Sequence, residues 1–87
     1  MIKIPFVIFR RGGMFVAYSL ALDLSASGKS RGEARKQFDE AVELFIEEMQ
    51  KKGEFAEWLQ GMGWQKHGNE WTSPVFVTET HIAKLAS

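Results

Sequence analysis

The chain has 87 residues, enough for one small domain and too few for a second hydrophobic core. Hydrophobic residues make up 45% of it, which indicates a folded core and argues against disorder. Lys and Arg together number 11, as do Asp and Glu, and this balance excludes the broad positive field of a protein held mainly by nucleic-acid phosphates.

Cysteine is absent, which excludes disulfides, thiolate metal sites and thiol redox chemistry. The apolar run before Arg10 and Arg11 is too short to cross a membrane, and no small-residue cleavage site follows it. We therefore expect a cytoplasmic protein without a membrane segment.

Strands are predicted before the first helix. Residues 2–10 are rich in β-branched and aromatic side chains, and Pro5 places this strand at an edge or near its start. The turn residues at 10–13 lead into a second strand over 14–22, and a short third strand is predicted around 24–27. The more apolar face of the second strand is predicted to meet the core, and it comprises Val16, Tyr18 and Leu20.

The strongest local pattern predicts a helix from Arg31 to Lys52. Its apolar residues recur every three or four positions and form one stripe, which comprises Ala34, Phe38, Ala41, Val42, Phe45, Ile46 and Met49. Gly53 is predicted to end the helix. Charged pairs four residues apart are predicted along its solvent side at Arg35–Asp39, Lys36–Glu40, Glu47–Lys51 and Glu48–Lys52.

The last third of the chain predicts a short helix, a hairpin and a final strand. Residues 54–63 form the helix and present Phe55, Trp58, Leu59 and Met62. Gly68-Asn69 predicts a hairpin turn in which Lys66 faces Trp71, and 74–83 alternate like a strand. The predicted fold is therefore α+β, a small antiparallel sheet with one long helix across one face, in β-β-β-α-β order within a single domain over 1–87.

The triplet Gly28-Lys29-Ser30 resembles the second half of a phosphate-binding loop. The full motif needs a glycine five residues before Gly28, and that position is Asp23, whose carboxylate is unsuited to phosphate. In the structural interpretation, Ser30 and Glu33 form a capping box at the start of the helix, and Gly28 lets the chain turn from strand to helix. We predict the structural role.

The segment that begins with this triplet also resembles HicB-like antitoxins. Residues 28–34 match that family's Gly-x-Thr/Ser-x-x-Glu-Ala signature, and 40–47 match its helix, which reads Glu-Ala-Ile-x-Leu-Tyr/Phe-Ile/Leu-Glu. Upstream, 13–18 is similar to the family's Gly-x-Tyr-x-Ala second strand. The resemblance is strongest over 2–49, and 54–87 adds the short helix and the Trp-rich hairpin and strand.

This resemblance implies a β-β-β-α-β domain that binds and silences a small mRNA-degrading toxin. The family's usual C-terminal DNA-binding segment has no counterpart here, so we do not expect direct DNA binding. The expected protein is a non-enzymatic protein-binding module that holds a toxin-like partner, with a homo-oligomer left open. The alternative is a small RNA- or anion-binding module that uses the basic start of the long helix. A third interpretation is an orphan homodimeric scaffold domain.

A catalytic or metal site is not predicted. The chain has two histidines, His67 and His81, and only Glu79 lies on the same side of its strand as one of them. Neither the spacing of a metal site nor a Ser-His-Asp arrangement is present. We expect no enzyme activity and no cofactor.

Two sets of residues are candidates for binding. Lys29, Arg31 and Arg35 crowd the start of the long helix, where they contact RNA or another anion or are neutralised by neighbouring carboxylates. The second set comprises Trp58, Trp64 and Trp71, which either complete the core or form a partner-binding surface. Sequence alone leaves both pairs of alternatives open.

Overall fold

A computed structural model describes residues 1–86 and confirms the α+β class and the predicted element order. The elements in chain order are β1 (Val7–Arg11), β2 (Met14–Ser19), β3 (Leu24–Gly28), α1 (Arg31–Lys51), α2 (Phe55–Gly61), β4 (Gln65–His67) and β5 (Glu70–Thr72).

The first three strands form an antiparallel sheet with β2 in its centre. Val7 pairs with Tyr18 across β1 and β2, and Phe15 pairs with Gly28 across β2 and β3. α1 packs across one face of this sheet, mainly over β3 and β2. The sheet and α1 therefore form the two main layers of the fold.

The face of β2 that α1 covers is the opposite of the predicted one. Ala17 and Ser19 are completely buried under the helix layer, while Leu20 is 55% exposed. The prediction that Val16, Tyr18 and Leu20 meet the core is wrong. Small side chains let a helix approach the sheet closely, and that close approach outweighs the greater hydrophobicity of the other face.

Gly28 shows how close that approach is. A Cβ atom at this position would lie 2.6 Å from the backbone nitrogen of Ala34, which is itself completely buried in α1. Gly28 does not have a positive φ, so it is not needed for a special turn conformation. Its predicted role in turning the chain is corrected to one of close contact between β3 and α1.

The start of α1 confirms one half of the predicted capping box. The N–H of Glu33 donates to Oγ of Ser30 at 3.0 Å, which satisfies one free donor of the first turn. Within residues 1–86, the carboxylate of Glu33 forms no hydrogen bond back to the Ser30 N–H, so the reciprocal half is not formed. The apolar stripe is confirmed, with Ala34 and Phe38 fully buried and its other members half-buried.

Both helices end in the same way. Gly53 has φ 70° and Gly63 has φ 94°, a left-handed conformation that only glycine adopts at low cost. After α1, the N–H of Glu54 donates to Met49 O at 3.0 Å; after α2, the N–H of Trp64 donates to Leu59 O at 2.9 Å. These are Schellman motifs, and the second one directs Trp64 back toward the sheet.

The C-terminal hairpin is confirmed, and the final strand is not. Lys66 pairs with Trp71 as predicted. Residues 73–86 have no regular secondary structure, although they alternate like a strand, and Val75 is 91% exposed. Just before this segment, Trp71 of β5 forms a single parallel bridge with Ile2. High β-propensity needs a partner edge to become a strand, and the prediction over 74–83 is wrong.

Candidate partner-binding surface

The side of the sheet opposite α1 carries large apolar side chains. We call it the outer face; its residues are Val7, Phe9, Met14, Val16 and Tyr18. They share one side because Val7 pairs with Tyr18 and Phe9 pairs with Val16, and side chains alternate along each strand. Val7 is 60% exposed, and within residues 1–86 no helix or strand packs over this face.

Polar groups surround the apolar centre of the outer face. The guanidinium of Arg11 lies over the ring of Phe9, 5.2 Å from its centroid. Ser25 of β3 pairs with Tyr18, and the Tyr18 hydroxyl donates to Oδ1 of Asp23 at 3.2 Å. An apolar centre with a polar rim is the usual composition of a protein–protein interface.

The environment of Tyr18 favours its neutral form. Desolvation raises the pKa of the phenol above its ordinary value, and the hydrogen bond to Asp23 and that residue's negative charge raise it further. Asp23 has φ 52°, a left-handed conformation that aspartate tolerates, in the turn between β2 and β3. The turn therefore places a hydrogen-bond acceptor beside the phenol at the edge of the outer face.

Beyond Thr72, the chain touches one end of the outer face. Phe76 and Thr78 line a groove with Val7, Tyr18 and Leu20. Phe76 remains 44% exposed there, so it flanks the apolar surface without covering it.

The three tryptophans occupy different environments around one cluster of buried residues. Trp64 is 2% exposed, and its indole nitrogen donates to the carbonyl oxygen of Ala21 at 2.8 Å. Trp64 therefore belongs to the core, and its candidate role as a surface contact is corrected. Trp58 and Trp71 pack against the same cluster and are only half-buried.

Trp58 and Trp71 each keep a distinct set of neighbours. The ring of Trp58 packs edge-on against Phe45 with 5.6 Å between centroids, and its indole nitrogen has no hydrogen-bond acceptor within residues 1–86. Trp71 lies under the ammonium of Lys66 at 5.7 Å. The structure thus supports the core interpretation for Trp64 and leaves part of the other two rings accessible.

The basic residues at the start of α1 are divided between free and engaged side chains. Arg35 lies 3.6 Å from Asp39, and its guanidinium also stacks on the ring of Phe6 at 5.1 Å. Lys29 and Arg31 are exposed and form no ion pair within residues 1–86. Of the predicted helical pairs, Arg35–Asp39 and Glu47–Lys51 are formed, while the pairs Lys36–Glu40 and Glu48–Lys52 are not formed among the described residues.

Sequence reasoning missed the outer face as a candidate site because it assigned that face to the core. A signal for it was present in the spacing of small residues. Ala17 and Ser19 on β2, Ala26 and Gly28 on β3, and Ala34 on α1 are all small, and they predict where a helix can lie closest to a sheet.

Histidine and carboxylate side chains do not assemble into a metal site in the part of the chain that the structure describes, where no three such groups cluster. The helices over residues 1–86 are also too short or too polar to span a bilayer. No family model, curated protein or solved structure matches the chain.

Proposed function

We propose that the protein is a non-enzymatic protein-binding module of the HicB antitoxin type, which sequesters a small mRNA-degrading toxin. The observation that carries this proposal is the outer face, an apolar sheet surface with a polar rim. The resemblance of residues 28–34 and 40–47 to HicB-like antitoxins supplies the class of partner.

Burial of the outer face is the expected source of affinity. Val7, Phe9 and Tyr18 together offer aromatic and branched side chains on a rigid, hydrogen-bonded sheet. Rigid apolar anchors lose little conformational entropy on binding, so most of the free energy of burying them is retained. Inhibition would be steric, because a small enzyme held against this face has its own active surface covered.

The test is rescue of growth in cells that express a candidate small toxin. Expression of this chain is expected to restore growth, and native mass spectrometry of the purified pair is expected to show a stable complex. The double change Val7→Glu/Phe9→Glu places two carboxylates on the outer face and is expected to abolish both rescue and complex. The matched control is Ile82→Glu/Leu85→Glu, which adds the same charge at side chains 91% and 87% exposed, beyond the residues that line the groove at the outer face.

Circular dichroism of both double variants separates loss of binding from loss of folding. If the folded Val7→Glu/Phe9→Glu variant rescues growth as well as the original chain, the outer face is not the toxin-binding surface.

A second candidate function, RNA or anion binding, is favoured by the unpaired Lys29 and Arg31 at the start of α1. Each phosphate contact contributes to the slope of affinity against salt concentration. The change Arg31→Ala/Arg35→Ala is expected to weaken RNA binding and to lower this slope if the cluster binds phosphate. An unchanged affinity and slope would exclude this function.

A further inference from the structure

A second apolar groove lies in the helical layer, on the other side of the sheet from the outer face. It runs between the end of α1 and α2 and has a volume of about 440 Å³. Its lining comprises Met49, Glu54, Glu57, Trp58, Gly61 and Met62.

The floor of this groove is suited to a helical partner. Met49, Trp58 and Met62 are half-buried, so each presents part of its side chain to the groove. Methionine adapts its shape to different apolar surfaces, and tryptophan is enriched among the residues that dominate interface energies. Gly61 also lines the groove, and a Cβ atom at this position would meet nothing within 4 Å, so the space beside Gly61 is free.

The charge around the groove specifies the kind of partner. Glu54 and Glu57 line it, are exposed, and form no ion pair among residues 1–86. Between residues 39 and 57 the sequence contains seven carboxylates and only two basic residues, Lys51 and Lys52. An anionic partner would be repelled here, whereas a cationic one would gain from complementary charge.

We propose that this groove binds a cationic amphipathic helix, whose apolar side chains lie on Met49, Trp58 and Met62 and whose Lys or Arg side chains lie beside Glu54 and Glu57. This is the helix-in-groove mode of recognition, with apolar anchors at three- and four-residue spacing. The inference does not depend on the outer face or on the toxin-binding proposal.

The test uses an amphipathic helical peptide of leucine and lysine, about 14 residues long, and its counterpart with glutamate in place of lysine. Binding is followed in the nitrogen–proton NMR spectrum of the labelled protein. The indole resonance of Trp58, assigned with a Trp58→Phe variant, is expected to shift saturably with the lysine peptide. The indole resonance of the buried Trp64 is expected to stay in place.

Two charge variants decide the result. Glu54→Gln/Glu57→Gln is expected to weaken binding of the lysine peptide by about tenfold or more, since two carboxylates beside the ligand are removed. Glu33→Gln/Glu79→Gln makes the same change in net charge at exposed residues away from the groove and is expected to leave affinity within about twofold. Equal binding of the two peptides, equal weakening by the two variants, or a Trp58 resonance that does not move would each overturn the proposal.

Discussion

The two faces of the three-stranded sheet carry opposite kinds of side chain. The face under α1 is built from small residues such as Ala17, Ser19 and Gly28, and the helix lies close against them. The outer face carries Val7 and Phe9, which are 60% and 36% exposed. Close contact between backbones therefore determines which face the helix covers, and the larger apolar side chains remain on the uncovered face.

This difference predicts a large penalty for adding volume to the covered face. Gly28→Val would place side-chain carbons within 3 Å of the backbone of α1, and neither backbone can move without disturbing the layer. We expect a loss of about 3 kcal/mol or more in the free energy of unfolding, or failure to fold. Urea denaturation followed by circular dichroism measures the effect.

The matched control for Gly28→Val is Gly32→Ala in the first turn of α1, where a Cβ atom would meet nothing within 4 Å. This change is expected to be neutral or to stabilise by up to about 1 kcal/mol, because alanine favours the helix. If both glycine variants had the same effect, β3 and α1 would not be in close contact at Gly28.

Trp64 lies on the covered side of the sheet, and its indole N–H donates to Ala21 in the turn between β2 and β3. A second substitution tests whether this hydrogen bond holds the turn in place. Trp64→Phe removes a hydrogen bond of 2.8 Å and leaves the buried carbonyl of Ala21 without a donor. The lost hydrogen bond and the lost ring volume are together expected to lower the free energy of unfolding by about 2–4 kcal/mol. Thermal and urea unfolding both report it.

Trp58→Phe is the comparison for Trp64→Phe. It makes the same substitution at an indole whose N–H has no hydrogen-bond acceptor within residues 1–86. The loss of packing is offset there by removal of an unsatisfied donor, so we expect a change within about 1 kcal/mol. A larger loss at Trp58 than at Trp64 would contradict the assignment of Trp64 as the anchor of this side.

A third pair compares the two faces directly. Ala17→Leu adds three carbons beneath α1 at a completely buried position and is expected to cost about 1–3 kcal/mol. Val7→Thr changes an outer-face residue that is 60% exposed and is expected to stay within about 0.5 kcal/mol. Should Val7→Thr prove the more destabilising, the outer face would be packed in the free protein.

Periodic local patterns were sufficient to predict most of the elements. The stripe of α1, the cap at Ser30, the glycine stop at Gly53 and the hairpin turn after His67 each depend on a few neighbouring residues, and all are confirmed. Local patterns failed where a distant partner decides the outcome. The covered face of β2 depends on how closely α1 can approach, and the region from Pro74 onward forms no ladder with a strand among residues 1–86.

The candidate sites also divide into features that follow from neighbouring residues and features that depend on residues distant in sequence. Exposed Lys29 and Arg31 at the start of α1 follow directly from the helix boundary. The separate environments of Trp58 and Trp64 do not, because burial of Trp64 requires the carbonyl of Ala21, which is 43 residues away in sequence. Hydrophobicity alone could not distinguish an uncovered sheet face from a core, since both select the same residue types.

The smallest expected effect is the difference between the pKa of Tyr18 in the native chain and in the unfolded chain. Tyr18 lies on the outer face, so this difference reports on that face. Its raised pKa means that the native state keeps the phenolic proton at a pH where the unfolded chain has begun to lose it. The native state then binds more protons, so stability falls as the pH rises through the ordinary value of 10.0. The chain has one tyrosine, so ultraviolet absorbance of tyrosinate follows this group alone.

Asp23→Asn separates the causes of the raised pKa of Tyr18, because it removes the negative charge that lies 3.2 Å from the phenol oxygen. We expect the midpoint of the Tyr18 titration to lie between those of the native and the urea-unfolded original chain, since desolvation, the largest cause of the raised pKa, remains. A partner that covers the outer face should raise the midpoint further by removing the phenol from water. Identical midpoints in the native and unfolded chains would mean that the outer face does not desolvate Tyr18, and would weaken its assignment as an apolar binding surface.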